Sequence, residues 1–112
     1  MKNKVYEFLT KQGYDVDKNV PYAFENSEMV ALIMKARFFE VKTVITITFN
    51  DGVFELTCGG GAVYENELIF PFQGIRVSGS ALDDELLTVL LEKMKAGIKR
   101  EELKILEGEQ HG

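Results

Sequence analysis

The clearest pattern in the chain is the alternation, from Val41 to Phe49, of one mostly apolar set of residues with a more polar set, which includes Lys42, Thr46 and Thr48. Successive side chains of a β-strand point to opposite faces, so this segment is predicted to be a strand with one mostly apolar face. Asp51-Gly52 follows, and Asp-Gly is a strong signal for a two-residue hairpin turn. That turn predicts three cross-strand pairs on one side of the sheet: Phe49 with Phe54, Ile47 with Leu56, and Ile45 with Cys58.

Further short apolar segments follow this hairpin without an intervening helix. After a turn at residues 65–66, residues 68–70 are predicted to return as a strand that stops near Pro71. Residues 75–77 are predicted to add a short edge strand. The middle of the chain, centred on residues 41–72, is therefore predicted to be an antiparallel β-meander of about 4–5 strands.

Helical patterns lie on both sides of this meander. Residues 4–12 carry apolar side chains at helical spacing, and Gly13 suits the position just after a helix. Residues 14–17 alternate like a short strand. Residues 82–96 form an amphipathic stripe with acidic residues in the first turn, and Gly97 is predicted to end or interrupt this helix.

The segment 28–38 fits two structures. Its residues are mostly good helix formers, and Ser27 is able to cap a helix that begins after it. The same residues also place alternate apolar side chains on one face of a strand. We favour a helix, because only Val30 and Ile33 in this segment are β-branched.

These elements predict an α+β fold, in which the antiparallel meander packs against an N-terminal helix and a C-terminal amphipathic helix. A length of 112 residues suits one domain with its own hydrophobic core. We expect a single domain over residues 1–106 and a flexible C-terminal tail over residues 107–112.

Composition and charge narrow the class of protein. The chain is 46% hydrophobic and 28% charged, which is ordinary globular usage, and its net charge is −5. The basic residues near the C-terminus are interleaved with glutamates, so we expect a solvated helix face and no nucleic-acid partner. No apolar run is long enough for a membrane span, and neither a signal peptide nor a second cysteine is present. We therefore expect a cytoplasmic protein that does not interact with membranes.

No catalytic combination of residues emerges from the sequence. The predicted register places Cys58 opposite Ile45 on the apolar face, where a thiol is inert. The single histidine, His111, lies at the C-terminal end and is predicted to be too remote to serve as a base. The acidic run Asp83-Asp84-Glu85 is interpreted as helix capping rather than a metal site. We therefore predict no catalytic residues, no cofactor and no metal.

Two motifs resemble ligand-binding loops but lack part of the sequence or structure that such loops require. Gly59-Gly60-Gly61 resembles a phosphate cradle in composition, but it leads into an apparent strand and not into a helix N-terminus. A bulge, or a close approach of other groups to bare backbone, is the better interpretation. Asp15-x-Asp17-x-Asn19 has the opening of a calcium loop but lacks the glycine and glutamate that such a loop requires further on.

The solvent side of the 41–49 strand is predicted to be flat and semi-polar. We predict that it contacts a partner together with the glycine run and the aromatic residue that follows it. The predicted contact residues are Val44, Thr46, Thr48, Gly59, Gly60, Gly61 and Tyr64.

Three functions remain open. The first is a non-enzymatic protein-binding module, of the small inhibitor, immunity or adaptor type, that acts by surface occlusion on another protein. The second is a small-molecule-binding or regulatory subunit domain with a pocket lined by Met34, Phe38 and Tyr64. The third, which the sequence supports least, is a carboxylate-based enzyme. A homodimer is compatible with all three.

Overall fold

The computed structural model describes residues 1–20 and 26–111, with side chains up to Gly108. Five antiparallel strands form one sheet in the order β1-β2-β3-β4-β5, and two helices pack on it. The α+β meander predicted from the sequence is confirmed. The elements are α1 Lys2–Lys11, β1 Asp15–Asp17, β2 Ser27–Lys35, β3 Glu40–Asn50, β4 Val53–Tyr64, β5 Glu67–Gly79 and α2 Asp84–His111.

The central hairpin, β3–β4, has the predicted turn and register. Asp51 and Gly52 both have positive φ, 52° and 77°, as a type I′ turn requires. The three predicted pairs are confirmed, from Phe49 opposite Phe54 to Ile45 opposite Cys58. The predicted turn at residues 65–66 is also present, again with positive φ at both positions.

The helix predicted over residues 28–38 is wrong, because Ser27–Lys35 is a strand that pairs along its whole length with β3. Val30, Leu32 and Met34 are buried, while Ile33 between them is 42% exposed, which is the period of a strand. Helix propensity is a weak preference, and burial beside an apolar neighbouring strand outweighs it.

The predicted stop at Pro71 is also wrong. Strand β5 runs without a break from Glu67 to Gly79 and includes the separate edge strand predicted at 75–77. Two register shifts in the β4–β5 ladder each place one extra residue on β5, around Pro71 and around Gly74. A proline has no N–H to donate, and it is tolerated here because β5 is an edge strand with bulges.

Helix α2 continues through Gly97, so the prediction that this glycine ends or interrupts the helix is wrong. A Cβ atom at Gly97 would lie 2.5 Å from the carbonyl oxygen of Pro71. The glycine is required for a close approach of the helix to β5, not for a change of backbone direction. The helix ends at His111, beyond residue 106, and the flexibility of residues 107–112 stays a prediction.

The core lies between the helices and one face of the sheet, which we call the inner face. Both helices contribute to a single buried cluster with the strands: Val5, Phe8, Leu9, Val30, Leu32, Met34, Phe39, Val41, Ile45, Ile47, Leu56, Cys58, Ala62, Phe72, Val77, Leu87, Leu90, Leu91, Met94 and Ile98. The buried residues of both helices thus pack against the inner face of the sheet, and none of this cluster's helix residues lies on the opposite face.

Candidate functional site

The opposite side of the sheet, which we call the outer face, is not covered by a helix in the described part of the chain. Strand alternation and the observed register determine which side chains it carries. They include Asp15, Asp17, Ser27, Met29, Ala31, Ile33, Lys35, Glu40, Lys42, Val44, Thr46, Thr48, Glu55, Thr57, Gly59, Gly61, Val63, Leu68, Phe70, Arg76 and Ser78.

The most exposed apolar side chains of the outer face stand together at one end of the β4–β5 hairpin. Val63 and Leu68 are cross-strand partners, each 64% exposed, and Phe70 is 52% exposed. We call these three residues the apolar ridge. Gly61 lies beneath it, and a Cβ there would be 3.6 Å from the ring of Phe70. Large apolar side chains this exposed, and adjacent to one another, are typical of interaction surfaces.

Shallow grooves adjoin the ridge on the outer face. One, of about 600 Å³, runs beside it and is lined by Gly61, Val63, Leu68 and the charged residues Glu40 and Lys42. A second, of about 340 Å³, crosses strands β1 to β3. Its apolar floor and charged rim are formed by Ala31, Leu32, Ile33, Thr43, Val44, Asp15, Asp17 and Lys42.

The structure brings five of the seven predicted contact residues onto the outer face. Val44 is 40% exposed and lies opposite Gly59, while Thr46 and Thr48 continue the same strand. A groove of about 380 Å³ connects several of them, because it is lined by Val44, Thr46, Thr57, Cys58, Gly59 and Gly74.

Gly60 and Tyr64 belong to the other side of the sheet. A Cβ at Gly60 would lie 2.5 Å from Val41 and 2.7 Å from the ring of Phe72, so this glycine is the place where side chains pack against bare backbone. The ring of Tyr64 meets that of Phe38 edge to face, with 6.2 Å between centroids. A partner seated on the outer face would therefore not reach these two residues from the same side.

Sequence reasoning missed the residues that make the outer face most apolar, Ile33 and the ridge. Ile33 was assigned to a helix, and the side to which residues 68–70 point depends on strand register. A two-residue turn at 65–66 would have given that register, since it pairs Val63 with Leu68.

The edges of the sheet are poor sites for adding another strand. Strand β1 has only three residues, and β5 is bulged and contains Pro71. Short or bulged edge strands are features that oppose pairing with another chain. The open face, rather than an open edge, is therefore the surface that the fold presents.

Cys58 is buried, and desolvation raises the pKa of its thiol to about 12. Almost none of it is thiolate at neutral pH, so it is not an activated nucleophile. The side chain of His111 lies outside the described residues.

The acidic start of α2 is occupied by structural contacts. The Leu86 N–H donates to Asp83 Oδ1 at 3.0 Å, which confirms capping by Asp83. Lys4 Nζ donates to Asp84 Oδ1 at 2.8 Å, and this contact lowers the pKa of Asp84 and raises the pKa of Lys4. Among the described side chains, no three or more His, Cys, Asp or Glu residues are grouped so as to hold a metal ion.

The pocket predicted around Met34, Phe38 and Tyr64 is not among the grooves on the outer face. Met34 is 2% exposed and belongs to the core, and Phe38 contacts Tyr64 directly. Within the described residues, no helix has the length and apolar character needed to cross a membrane. The chain matches none of the protein-family models, curated proteins or solved structures with which we compared it.

Proposed function

We propose that the protein is a non-enzymatic protein-binding module that acts by covering part of a partner's surface, as small inhibitors, immunity proteins and adaptors do. The observation that carries the proposal is the apolar ridge, which stands on a sheet face with no helix of the described chain over it. The fold does not need these exposed side chains for its core.

The outer face is large enough for a specific interface. Strand β3 has 11 residues, or about 37 Å, and four strand spacings give about 19 Å in the other direction. Their product, roughly 700 Å² in projection, is an upper value because β1 is short. A standard complex uses about 800 Å² of accessible surface from each partner, so the face alone accounts for most of such an interface.

The composition of the face favours a separately folded partner over a second copy of the chain. A strip of threonines with Glu55 and Arg76 lies on the same face toward the other end of β4, and such a mixture of polar and apolar residues is typical of non-obligate complexes. Obligate homodimer interfaces are more apolar. The net charge of −5 also opposes close association of two copies.

Occlusion requires a surface and no reactive group. The buried Cys58 thiol, with its raised pKa, agrees with this mode of action. A single protected thiol also fits the cytoplasmic setting that we propose for the protein.

The test compares two double variants of the full chain. Val63→Ser with Leu68→Ser removes most of the ridge, whereas Val89→Ser with Leu103→Ser removes two apolar side chains of α2 that are 45% and 49% exposed. Each protein is used to capture partners from cells of the source organism, and the captured protein is then purified and titrated against all three chains. We expect the ridge variant to lose on the order of 100-fold in affinity, as for a central hot spot, and the helix variant to lose less than about threefold.

Two results would contradict the proposal. Equal affinities for the ridge variant and the wild type would remove the outer face from the interface. Sedimentation equilibrium that shows a dimer of the wild type, and a monomer of the ridge variant, would identify the partner as a second copy instead of a different protein.

A further inference from the structure

A second surface feature lies away from the apolar ridge, where α2 passes the edge strand β5. A groove of about 340 Å³ is present there, lined by Gly74, Ile75, Arg76, Lys93, Ala96 and Arg100. Three of these six residues are cationic and none is acidic. The groove is therefore locally positive, although the chain as a whole carries a net charge of −5.

Two of the three cations that line the groove have no ionic partner among the described residues. Within the described part of the chain, neither Lys93 nor Arg100 takes part in an ion pair or a side-chain hydrogen bond. Other cations nearby do: Lys104 lies 3.9 Å from Glu101, and Arg76 lies 3.7 Å from Glu55. The uncompensated cations of the groove are therefore the two on α2.

The spacing of these two cations suits a compact ligand. Lys93 and Arg100 are seven residues apart, so they lie on one face of α2 about 10.5 Å apart along its axis. Ala96 lies between them and fills little of the space. Arginine offers a planar set of donors for carboxylate or phosphate oxygens, and lysine adds a compact charge.

The backbone of β5 supplies the opposite wall. Among the described residues, β5 pairs only with β4, so one side of its backbone has no strand partner, and Gly74, Ile75 and Arg76 line the groove. Gly74, in the left-handed region at φ 67°, lies at a bulge and has no side chain to obstruct the approach. Edge-strand N–H groups and two cations together form a suitable environment for an oxyanion.

We propose that this groove is a binding site for a small polyanion that carries phosphate or carboxylate groups. The groove shares Gly74 and Arg76 with the outer face, but its two free cations, Lys93 and Arg100, belong to α2 and not to the sheet. The ligand is shorter than the separation of the two residues along the helix, so the long side chains of Lys93 and Arg100 converge on it, as on a diphosphate or a tricarboxylate.

The experiment is a titration of the ¹⁵N-labelled full chain with sodium pyrophosphate and, separately, with citrate, at constant ionic strength and followed by NMR. We expect saturable shifts of the amides of residues 74–76 and 93–100. Saturation by pyrophosphate alone identifies phosphate as the recognised group, and saturation by citrate alone identifies carboxylate. Saturation by both assigns the site to oxyanions in general.

Two double variants of equal charge control for non-specific attraction. Lys93→Gln with Arg100→Gln is expected to weaken binding about tenfold or more, because hydrogen bonds to charged groups are the stronger ones. Lys95→Gln with Lys99→Gln removes the same charge from another face of α2 and is expected to change the affinity less than about threefold. Shifts that do not saturate, or equal losses in both variants, would overturn the proposal.

Discussion

Gly60 and Gly61 are neighbours in the sequence, yet they represent two different environments. A Cβ at Gly60 would overlap Val41 and Phe72 beneath the helices, whereas a Cβ at Gly61 would make only ordinary contacts with Phe70 and Leu68. One step along a strand leads from the packed inner face to the uncovered outer face. Glycine is thus required at position 60, where a side chain would overlap its neighbours, whereas position 61 has room for a side chain.

This contrast extends to the whole sheet. The inner face holds residues such as Val30 and Ile45 at 0% exposure, so its composition is explained by folding. The outer face holds Val63 and Leu68 at 64%, which the fold does not explain. Apolar residues that do not contribute to the core are the ones available for a partner. The following substitutions test how sharply the two sides differ.

The largest effect is expected for Gly97→Ala, because the backbones of α2 and β5 approach each other closely at this position. The new Cβ would lie 2.5 Å from the Pro71 carbonyl oxygen, and two backbones would have to separate. We expect a loss of about 3 kcal/mol in the free energy of unfolding, measured by urea denaturation. Gly108→Ala, in the same helix and with no neighbour within 4 Å, is expected to stabilise the protein by about 0.5–1 kcal/mol. Equal effects of the two changes would show that α2 does not approach β5 closely.

The paired substitutions Gly60→Ala and Gly61→Ala test the two faces directly. We expect Gly60→Ala to lower the free energy of unfolding by about 2 kcal/mol, since the side chains of Val41 and Phe72 must move. Gly61→Ala is expected to stay within about 0.5 kcal/mol of the wild type. A reversed order in urea denaturation would mean that the register of β4 differs from the one described.

A smaller gain is expected for Thr43→Val on the inner face. Thr43 is 1% exposed, and its Oγ1 has no hydrogen-bond partner among the described residues. Replacing the unsatisfied hydroxyl by a methyl group is expected to stabilise the protein by about 1 kcal/mol in thermal or urea unfolding. Thr46→Val, on the half-exposed outer face, serves as the control and is expected to change stability less. Destabilisation by Thr43→Val would indicate that the hydroxyl is paired.

The smallest effect is expected at the margin of the covered side, for Glu28→Gln. The Lys2 N–H donates to Glu28 Oε1 at 3.0 Å, and mainly for this reason the pKa of Glu28 lies below its ordinary value of 4.5. A carboxyl group whose pKa is lowered by folding stabilises the folded state at pH values above its ordinary pKa. This stabilisation is lost as the pH falls through the folded-state pKa. The side chain is partly exposed, so we expect a loss of about 0.5 kcal/mol at pH 7 that diminishes as the pH falls below 4.5. A difference that stays constant as the pH is lowered would exclude ionisation as the cause.

Sequence patterns predicted the elements whose signals are local. The β3–β4 hairpin follows from alternation and Asp51-Gly52, and α2 begins where the acidic turn and the amphipathic stripe begin. Strand β2 was missed because its propensities are helical and only the neighbouring β3 makes it a strand. The role of Gly97 was misinterpreted because the group that leaves no room for a side chain there, the backbone of Pro71, is distant in the sequence.

The candidate surface was predicted only in part for the same reason. Val44, Thr46 and Thr48 follow from the alternation of a single strand. The exposed ridge requires the register between β4 and β5, and the basic groove requires knowledge of which face of α2 meets the edge of β5. Neither relation is contained in any one segment of the chain.

The meander order has a consequence for how the chain assembles. Each strand pairs with its neighbour in the sequence, and such local pairing favours faster folding than pairing between distant segments would. Helix α2 comes last, and it supplies Leu87, Leu90 and Met94 to the buried cluster. During synthesis, α1 is already available to cover its part of the inner face, whereas the part that Leu87, Leu90 and Met94 cover stays exposed until α2 emerges.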